Sequence, residues 1–151
     1  MTQRKQDRFR IIVLAAALGW FWYLRGHLAE GARLLEKSAM SDSLQGVLRA
    51  RVLRSAGWMA YGIGALARAE LLFHDSLDIS RETGDVALQS STLACVGFVL
   101  RDKGDHLAAR PLLEESLALS RQIGHRWGVA FSLHLLSTVA RLVGDVKGGA
   151  D

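Results

Sequence analysis

The chain repeats its own residue pattern at an interval of about 40 positions, and this repetition constrains its fold more than any other feature. Sliding residues 104–117 back by 40 positions pairs Gly104 with Gly64 and Ser116 with Ser76. Further pairs, at this interval or at 38, are Ala109 and Ala69, Leu117 and Leu77, Gly57 and Gly19, and Tyr61 and Tyr23. Chance does not produce three aligned copies, so we interpret the chain as an array of repeats.

Each copy is predicted to form two helices joined by a short turn. In the third copy, apolar residues recur at helical spacing over residues 86–102, and a second helix is expected over residues 106–122. Gly104 is expected to end the first helix in a left-handed conformation, and Asp105 to cap the second. Pro111 lies about one turn inside that helix, where we expect a kink or an adapted first turn.

Composition agrees with an all-α protein of one domain. The 151 residues are 50% hydrophobic and 23% charged, which excludes a disordered chain. Leucine, alanine and arginine dominate over the β-branched residues, which disfavours strands. The one cysteine, Cys95, cannot form an intrachain disulfide, so we expect a reducing compartment, the cytoplasm.

These copies resemble the tetratricopeptide repeat. That family places a large apolar residue, a Leu-Gly pair and an aromatic residue at three-residue spacing in its first helix, and alanine with a bulky residue four positions later in its second. The third copy has Leu93, Val96-Gly97, Leu100, Ala109 and Leu113 at these positions. The small residues of the Leu-Gly position should let neighbouring helices approach closely. They are Gly19, Gly57, Gly97 and Ser137.

The resemblance covers about residues 11–145, with two departures. The copies are longer than the family's repeat of about 34 residues, and Arg81 and Arg121 stand where the family has proline. This longer form looks like the helical repeats of large bacterial ATP-dependent transcriptional regulators. The resemblance implies a right-handed α-solenoid of about 3.5 repeats, with seven helices. The predicted segments are a basic leader at 1–10, repeats at 11–45, 46–85 and 86–125, an incomplete repeat at 126–145, and a flexible tail at 146–151.

The apolar run at residues 11–24 has a second interpretation, because it follows a basic leader as a signal peptide or a short membrane anchor does. It is shorter than the roughly 20 residues that a spanning helix needs, and no A-x-A cleavage site follows it. Since it also occupies the first-helix position of the first repeat, we predict a core helix and no membrane contact. Membrane tethering by residues 1–24 is the alternative.

The charge distribution argues against a nucleic-acid interface. Of the formal net charge of +4, the leader contributes +3, because it holds four basic residues and one acidic residue. The other 141 residues therefore sum to only +1, which is unlike a basic face that covers a phosphate backbone.

The residues that resemble motifs for catalysis or cofactor binding are better explained as parts of the helical repeats. Residues 62–67 fit the dinucleotide fingerprint G-x-G-x-x-A, but they follow a helical repeat rather than a strand, which indicates a turn. No two histidines share the spacing of metal ligands on one helix face. Cys95 lies on an apolar helix, where a buried, inert thiol is expected. We therefore predict a protein without catalytic activity, cofactor or metal.

The first helices of successive repeats are expected to line a concave binding groove. Their exposed positions form rows of aromatic and basic side chains, which are residue types that anchor interfaces. The predicted groove residues are Trp20, Tyr23, Arg51, Arg54, Trp58, Tyr61, Phe98, Arg101, His134 and Arg141. The alternatives are that the aromatic residues pack between repeats and that the arginines are ordinary solvated surface.

From this groove we predict a protein–protein interaction module or scaffold whose partner offers acidic and apolar side chains. The resemblance implies a regulatory fragment of a transcriptional regulator. The alternative is a domain that senses a small ligand in the same groove. The apolar last helix, predicted at Trp127 to Leu142, indicates either a piece of a longer array or a face that associates with itself or with a partner.

Overall fold

The structure is a computed structural model, and it describes Gln3, Gln6, Arg10 and residues 27–40 and 44–148. The helix predicted at residues 11–24 lies outside the described residues, and so do the predicted groove residues Trp20 and Tyr23. The chain divides into two compact units, with the boundary between Thr83 and Gly84.

The described ranges 27–40 and 44–148 contain six helices and no strand. The helices are α1 Leu28–Ala39, α2 Gly46–Gly62, α3 Leu66–Thr83, α4 Val86–Asp102, α5 His106–Gln122 and α6 Arg126–Gly148. The all-α prediction is confirmed, and the helices predicted at 86–102 and 106–122 have the predicted bounds. Six rather than seven helices are seen, because the place of the seventh lies outside the described residues.

The Gly-Asp turn between α4 and α5 has the predicted geometry. Gly104 has a φ of +87°, a conformation that glycine adopts without strain. The side chain of Asp105 accepts a hydrogen bond from the Ala108 amide at 3.1 Å, which caps α5. Pro111 lies inside α5, which continues without interruption to Gln122. The dinucleotide-like residues 62–67 also form a turn, between α2 and α3.

The end of the last helix differs from the prediction. α6 continues past Leu142 to Gly148, so residues 146–148 of the predicted tail are helical. Gly144, the counterpart of the turn residue Gly104, therefore lies inside a helix. The turn glycines of the earlier copies precede a helix that packs back on its predecessor, whereas no such helix follows Gly144 among the described residues. Helical hydrogen bonding therefore continues through Gly144.

In the first unit, α2 packs against both α1 and α3. The ring of Phe73 on α3 fills the space beside Gly57 on α2, where an added Cβ would lie 2.5 Å from its Cε1. The Ser76 hydroxyl donates a hydrogen bond across the same contact to the Ala50 carbonyl at 2.7 Å. Close approach at Gly57, expected from the sequence, is confirmed.

An ion pair joins the outer surfaces of α1 and α3 in this unit. The Arg68 guanidinium donates two hydrogen bonds to the Glu36 carboxylate, at 2.8 and 3.3 Å. The hydrogen bond to Glu36 raises the pKa of Arg68. Since the pair is largely exposed, solvent screens it, and it contributes little to stability.

In the second unit, α5 packs between α4 and α6, which also touch each other. Leu113 on α5 fills the space beside Gly97 on α4, as Phe73 does beside Gly57, so close approach is confirmed here too. The expectation fails at Ser137 on α6. Its side chain is exposed and donates a hydrogen bond to the His134 carbonyl of the same helix, because no described helix covers this part of α6.

Four buried serines connect the three helices of the second unit. Ser116 on α5 donates to the Ser90 carbonyl of α4 at 2.7 Å, and its hydroxyl lies 3.0 Å from that of Ser132 on α6. The hydroxyls of Ser90 and Ser120 lie 2.6 Å apart. Buried hydroxyls need such partners, because an unpaired polar group in a core costs free energy.

Candidate protein-binding surface

The predicted groove residues that are described fall into two sets, one in each unit. In the first unit, Arg51, Arg54, Trp58 and Tyr61 follow one another on α2 at spacings of three and four residues, which places them on one face of the helix. Arg51 is exposed, and the other three side chains are half-buried.

Trp58 has contacts on both the surface and the core side of α2. Its ring meets the Tyr61 ring edge to face at a centroid distance of 5.9 Å. It also meets the buried ring of Phe73 on α3 at 5.4 Å. Both alternatives therefore apply to Trp58, since an indole can bury one part of its ring and expose another.

In the second unit, Arg101 is held in place rather than solvated. Its guanidinium carbon lies 4.4 Å from the centroid of the Phe98 ring, in a cation–π contact. It also donates two hydrogen bonds to the Asp102 carboxylate, at 2.6 and 2.8 Å. Its side chain is only 15% exposed. The alternative of ordinary solvated surface is therefore wrong for Arg101.

The Phe98 ring continues into a series of stacked rings that crosses from α4 to α6. Phe98 stacks on Phe131 at 6.3 Å, with 24° between the ring planes. Phe131 stacks on Trp127 at 4.9 Å, with 14° between the planes. We call Arg101, Phe98, Phe131 and Trp127 the aromatic stack. Its outer end is Trp127, which is 65% exposed.

Phe131 and Trp127 were missed as site residues in the sequence. The repeat interval of 40 aligned Phe98 with Thr138 on the last helix, whereas Phe98 meets Phe131, about two turns earlier. The contact between α4 and α6 is thus shifted by about two turns from the repeat register. The signal that could have found the pair is its own spacing, since aromatic residues at i and i+4 share a helix face.

His134 and Arg141 continue the Trp127 face of α6. Both are exposed, and they follow Trp127 at seven and fourteen residues, which is about two and four helical turns. The Thr138 hydroxyl between them donates to the His134 carbonyl at 3.0 Å. The face thus offers ring surfaces and basic groups together.

Groups for other chemistry are sparse in the described part of the chain. No three His, Cys, Asp or Glu residues there are placed to hold a metal ion. Cys95 is buried, as expected. Within the described residues, one helical segment, Arg126–Gly144 of α6, is long and apolar enough to cross a membrane, with a mean hydropathy of 1.2.

Comparisons with known proteins agree with the repeat interpretation. Residues 88–147 match the family described as tetratricopeptide repeat. No curated protein matches the chain. The fold is similar to the crystal structure of a Podospora anserina protein described as a kinesin light chain with nearly identical TPR-like repeats. The TM-score is 0.78 at 17% identity, over 98% of this chain and 72% of that one. The sequence match thus covers residues 88–147, and the likeness of fold to TPR-like repeats extends over nearly the whole chain.

Proposed function

We propose that the chain is a non-catalytic module that binds a segment of a partner protein. The observation that carries the proposal is the aromatic stack, because it places an exposed indole at the end of a preorganised series of rings and a held guanidinium. Tryptophan and arginine in such settings anchor interfaces. Repeat arrays of this fold also present extended binding surfaces.

The chemistry of this surface favours a partner segment with acidic and apolar side chains. The stacked rings offer apolar area, and Arg141 offers positive charge on the Trp127 face of α6, whereas the Arg101 guanidinium is already paired with Asp102. On α2, Arg54 and Trp58 combine the same two properties. An acidic segment gains attraction from these cations, while its apolar side chains bury ring surface.

Affinity capture from cell lysate tests the proposal, with the native chain, Arg54→Glu and Trp127→Ala as baits. Leu107→Ala is the matched control, because Leu107 is 81% exposed and lies on α5, which contributes no residue to the stack. We expect a partner that the native chain and the control retain and that Trp127→Ala loses, if it binds the second unit, or Arg54→Glu loses, if it binds the first. Equal retention by all four baits would contradict the proposed surface.

A small planar ligand is the second candidate, favoured by the exposed ring of Trp127 at the end of the stack. An aromatic metabolite could extend the stack by one more ring. This function predicts a rise in the melting temperature of the pure native chain with the metabolite and a smaller rise for Trp127→Ala. No rise with a panel of aromatic metabolites would contradict it.

We also propose a cytoplasmic setting, and for the parent protein a bacterial transcriptional regulator, on the basis of the resemblance and of the single cysteine. Cell fractionation tests the location: the chain is expected in the soluble fraction, and sedimentation with membranes would favour tethering instead. Co-purification with a DNA-binding, ATP-hydrolysing protein would support the regulator context.

A further inference from the structure

One strip of α6 is exposed although the same positions are buried in α2 and α4. The strip consists of Ala130, Leu133, Ser137 and Ala140, and Leu133 is 44% exposed. Forty residues earlier, α4 has Ser90, Leu93, Gly97 and Leu100, and eighty residues earlier, α2 has Ala50, Leu53, Gly57 and Ala60. All eight of these residues are buried. We call the α6 positions the open strip.

In α2 and α4 these positions are covered by one helix each, α3 and α5, through equivalent contacts. A serine hydroxyl donates to a backbone carbonyl at 2.7 Å in both, from Ser76 to Ala50 and from Ser116 to Ser90. A bulky side chain fills the space beside the glycine in both. The repeat therefore specifies what fits the open strip, namely an amphipathic helix.

The direction of that helix follows from α5. Ser120, near the end of α5, meets Ser90 near the start of α4, whereas Leu113 meets Gly97 further along α4. The two helices are therefore antiparallel. A helix bound in the same way to the open strip would bring its C-terminal end to Ala130.

The charge near Ala130 suits the C-terminal end of a helix. An open groove of about 420 Å³ lies there, lined by Arg121, Gly124, Arg126, Val129, Ala130 and Leu133. Its two charged lining residues are both arginines. A helix C-terminus carries partial negative charge, so these arginines favour that end, and acidic side chains in its last turn add to the attraction.

Ser137 sets the size of the side chain that the bound helix can insert. Where α2 and α4 have glycine, a Cβ would lie 2.5 Å from Phe73 or Leu113. Ser137 has such a Cβ. A bound helix therefore needs a residue smaller than leucine at the equivalent position, because a larger one would overpack the contact.

We infer that the open strip docks an amphipathic helix of a partner protein, antiparallel to α6, with a small residue facing Ser137 and acidic residues in its last turn. The charge favours a different chain over a second copy, since the C-terminal end of a second α6 has two basic residues, Arg141 and Lys147, against one acidic residue, Asp145. Ala130 adjoins Trp127, but Leu133 and Ala140 of the open strip lie on another face of α6. Leu133→Glu and Trp127→Ala therefore test this inference and the proposed function separately.

The test uses fluorescence anisotropy with the full chain and labelled synthetic peptides that copy α3. The first peptide has the sequence of residues 65–84 with Arg81→Glu and Phe73→Ala, which gives the small residue and an acidic last turn. The second keeps Phe73. We expect saturable binding of the first peptide and binding about tenfold weaker for the second, a difference of about 1.4 kcal/mol.

Ser137→Gly in the chain should reverse this preference, because it restores the space that Phe73 occupies beside Gly57. Leu133→Glu should weaken the first peptide about tenfold or more, since it replaces an apolar contact with a charge that binding must desolvate. Leu107→Glu, at an exposed position on α5, is the matched control and should change nothing. Circular dichroism checks that each variant keeps its helical content.

Three results would overturn the inference. The first is that the native chain does not bind the first peptide saturably, or that both the native chain and Ser137→Gly prefer the peptide that keeps Phe73. The second is a dimer in sedimentation equilibrium that Leu133→Glu dissociates, which would make a second copy the occupant. The third is binding of the native chain to vesicles of anionic phospholipid that Leu133→Glu abolishes, which would make the strip a membrane contact.

Discussion

At Gly57 and Gly97, the absence of a side chain determines how closely two helices pack. Each glycine is covered by a bulky residue of the next helix, and a Cβ at either position would lie 2.5 Å from that side chain. The sequence predicted this role from the repeat alone, because the same small residue recurs in each copy. The same prediction was wrong for Ser137. Its exposure depends on whether another helix covers α6, and the residue pattern around Ser137 does not contain that information.

We predict that Gly97→Ala lowers the free energy of unfolding by about 1–3 kcal/mol, because Leu113 must move to admit the methyl group. Urea denaturation of the purified chain measures the change. Gly144→Ala is the control, since no atom lies within 4 Å of a Cβ at that helical position. It should be neutral or stabilising by up to about 1 kcal/mol. Equal stability of both variants would contradict the close contact.

Ser116 should matter more than an exposed serine, since it links α5 to both α4 and α6. We expect Ser116→Ala to cost about 1–3 kcal/mol, because it leaves buried hydrogen-bonding groups without a partner. Ser137→Ala, which removes an exposed hydroxyl, should change stability by less than about 0.5 kcal/mol. Thermal unfolding of the two variants under the same conditions makes the comparison, and a Ser116→Ala variant as stable as the native chain would refute the role of the cluster.

At the scale of helices, the ends were predictable where glycine and aspartate mark them. α4 and α5 have their predicted bounds, because Gly104 ends one helix and Asp105 caps the next. The end of α6 was not predictable from its own Gly-Asp pair, Gly144-Asp145. After Gly104 a helix follows that packs back on α4, whereas no such helix follows Gly144 among the described residues. Two residues of the aromatic stack, Phe131 and Trp127, were also missed, because the offset between α4 and α6 decides which rings meet.

The cap of α5 can be tested separately from its charge. Asp105→Ala removes the acceptor for the Ala108 amide and should cost about 1 kcal/mol. Asp105→Asn keeps a side-chain oxygen and should retain most of the stability. Chemical denaturation of the pair measures this difference, and an equal loss in both variants would show that charge rather than capping acts at this position.

Pro111 lies inside α5, where it lacks the backbone N–H that other helical residues donate. Its counterpart 40 residues earlier, Leu71, is an exposed residue of α3, so the fold does not require proline there. Pro111→Ala should raise the free energy of unfolding by up to about 3 kcal/mol, since it restores a backbone N–H donor inside the helix. A lower melting temperature for the variant would contradict this account and indicate a packing role for the proline ring.

At the scale of the molecule, repetition explains both the core and the surfaces it leaves exposed. α3 and α5 cover α2 and α4 through equivalent contacts, whereas α6 has its own strip exposed and, on another face, the outer end of the aromatic stack. We therefore propose protein binding at faces of α2, α4 and α6, whereas α3 and α5 mainly complete the core.

The most direct test of protein binding is selection of peptides from a displayed random library on the immobilised chain, followed by affinity measurement with purified variants. The account predicts selected peptides rich in acidic and apolar residues. It also predicts binding about tenfold weaker or more to Trp127→Ala, as for an interface anchor, with unchanged binding to Leu107→Ala. Selection of no peptide, or equal affinity for the native chain and Trp127→Ala, would contradict the central claim.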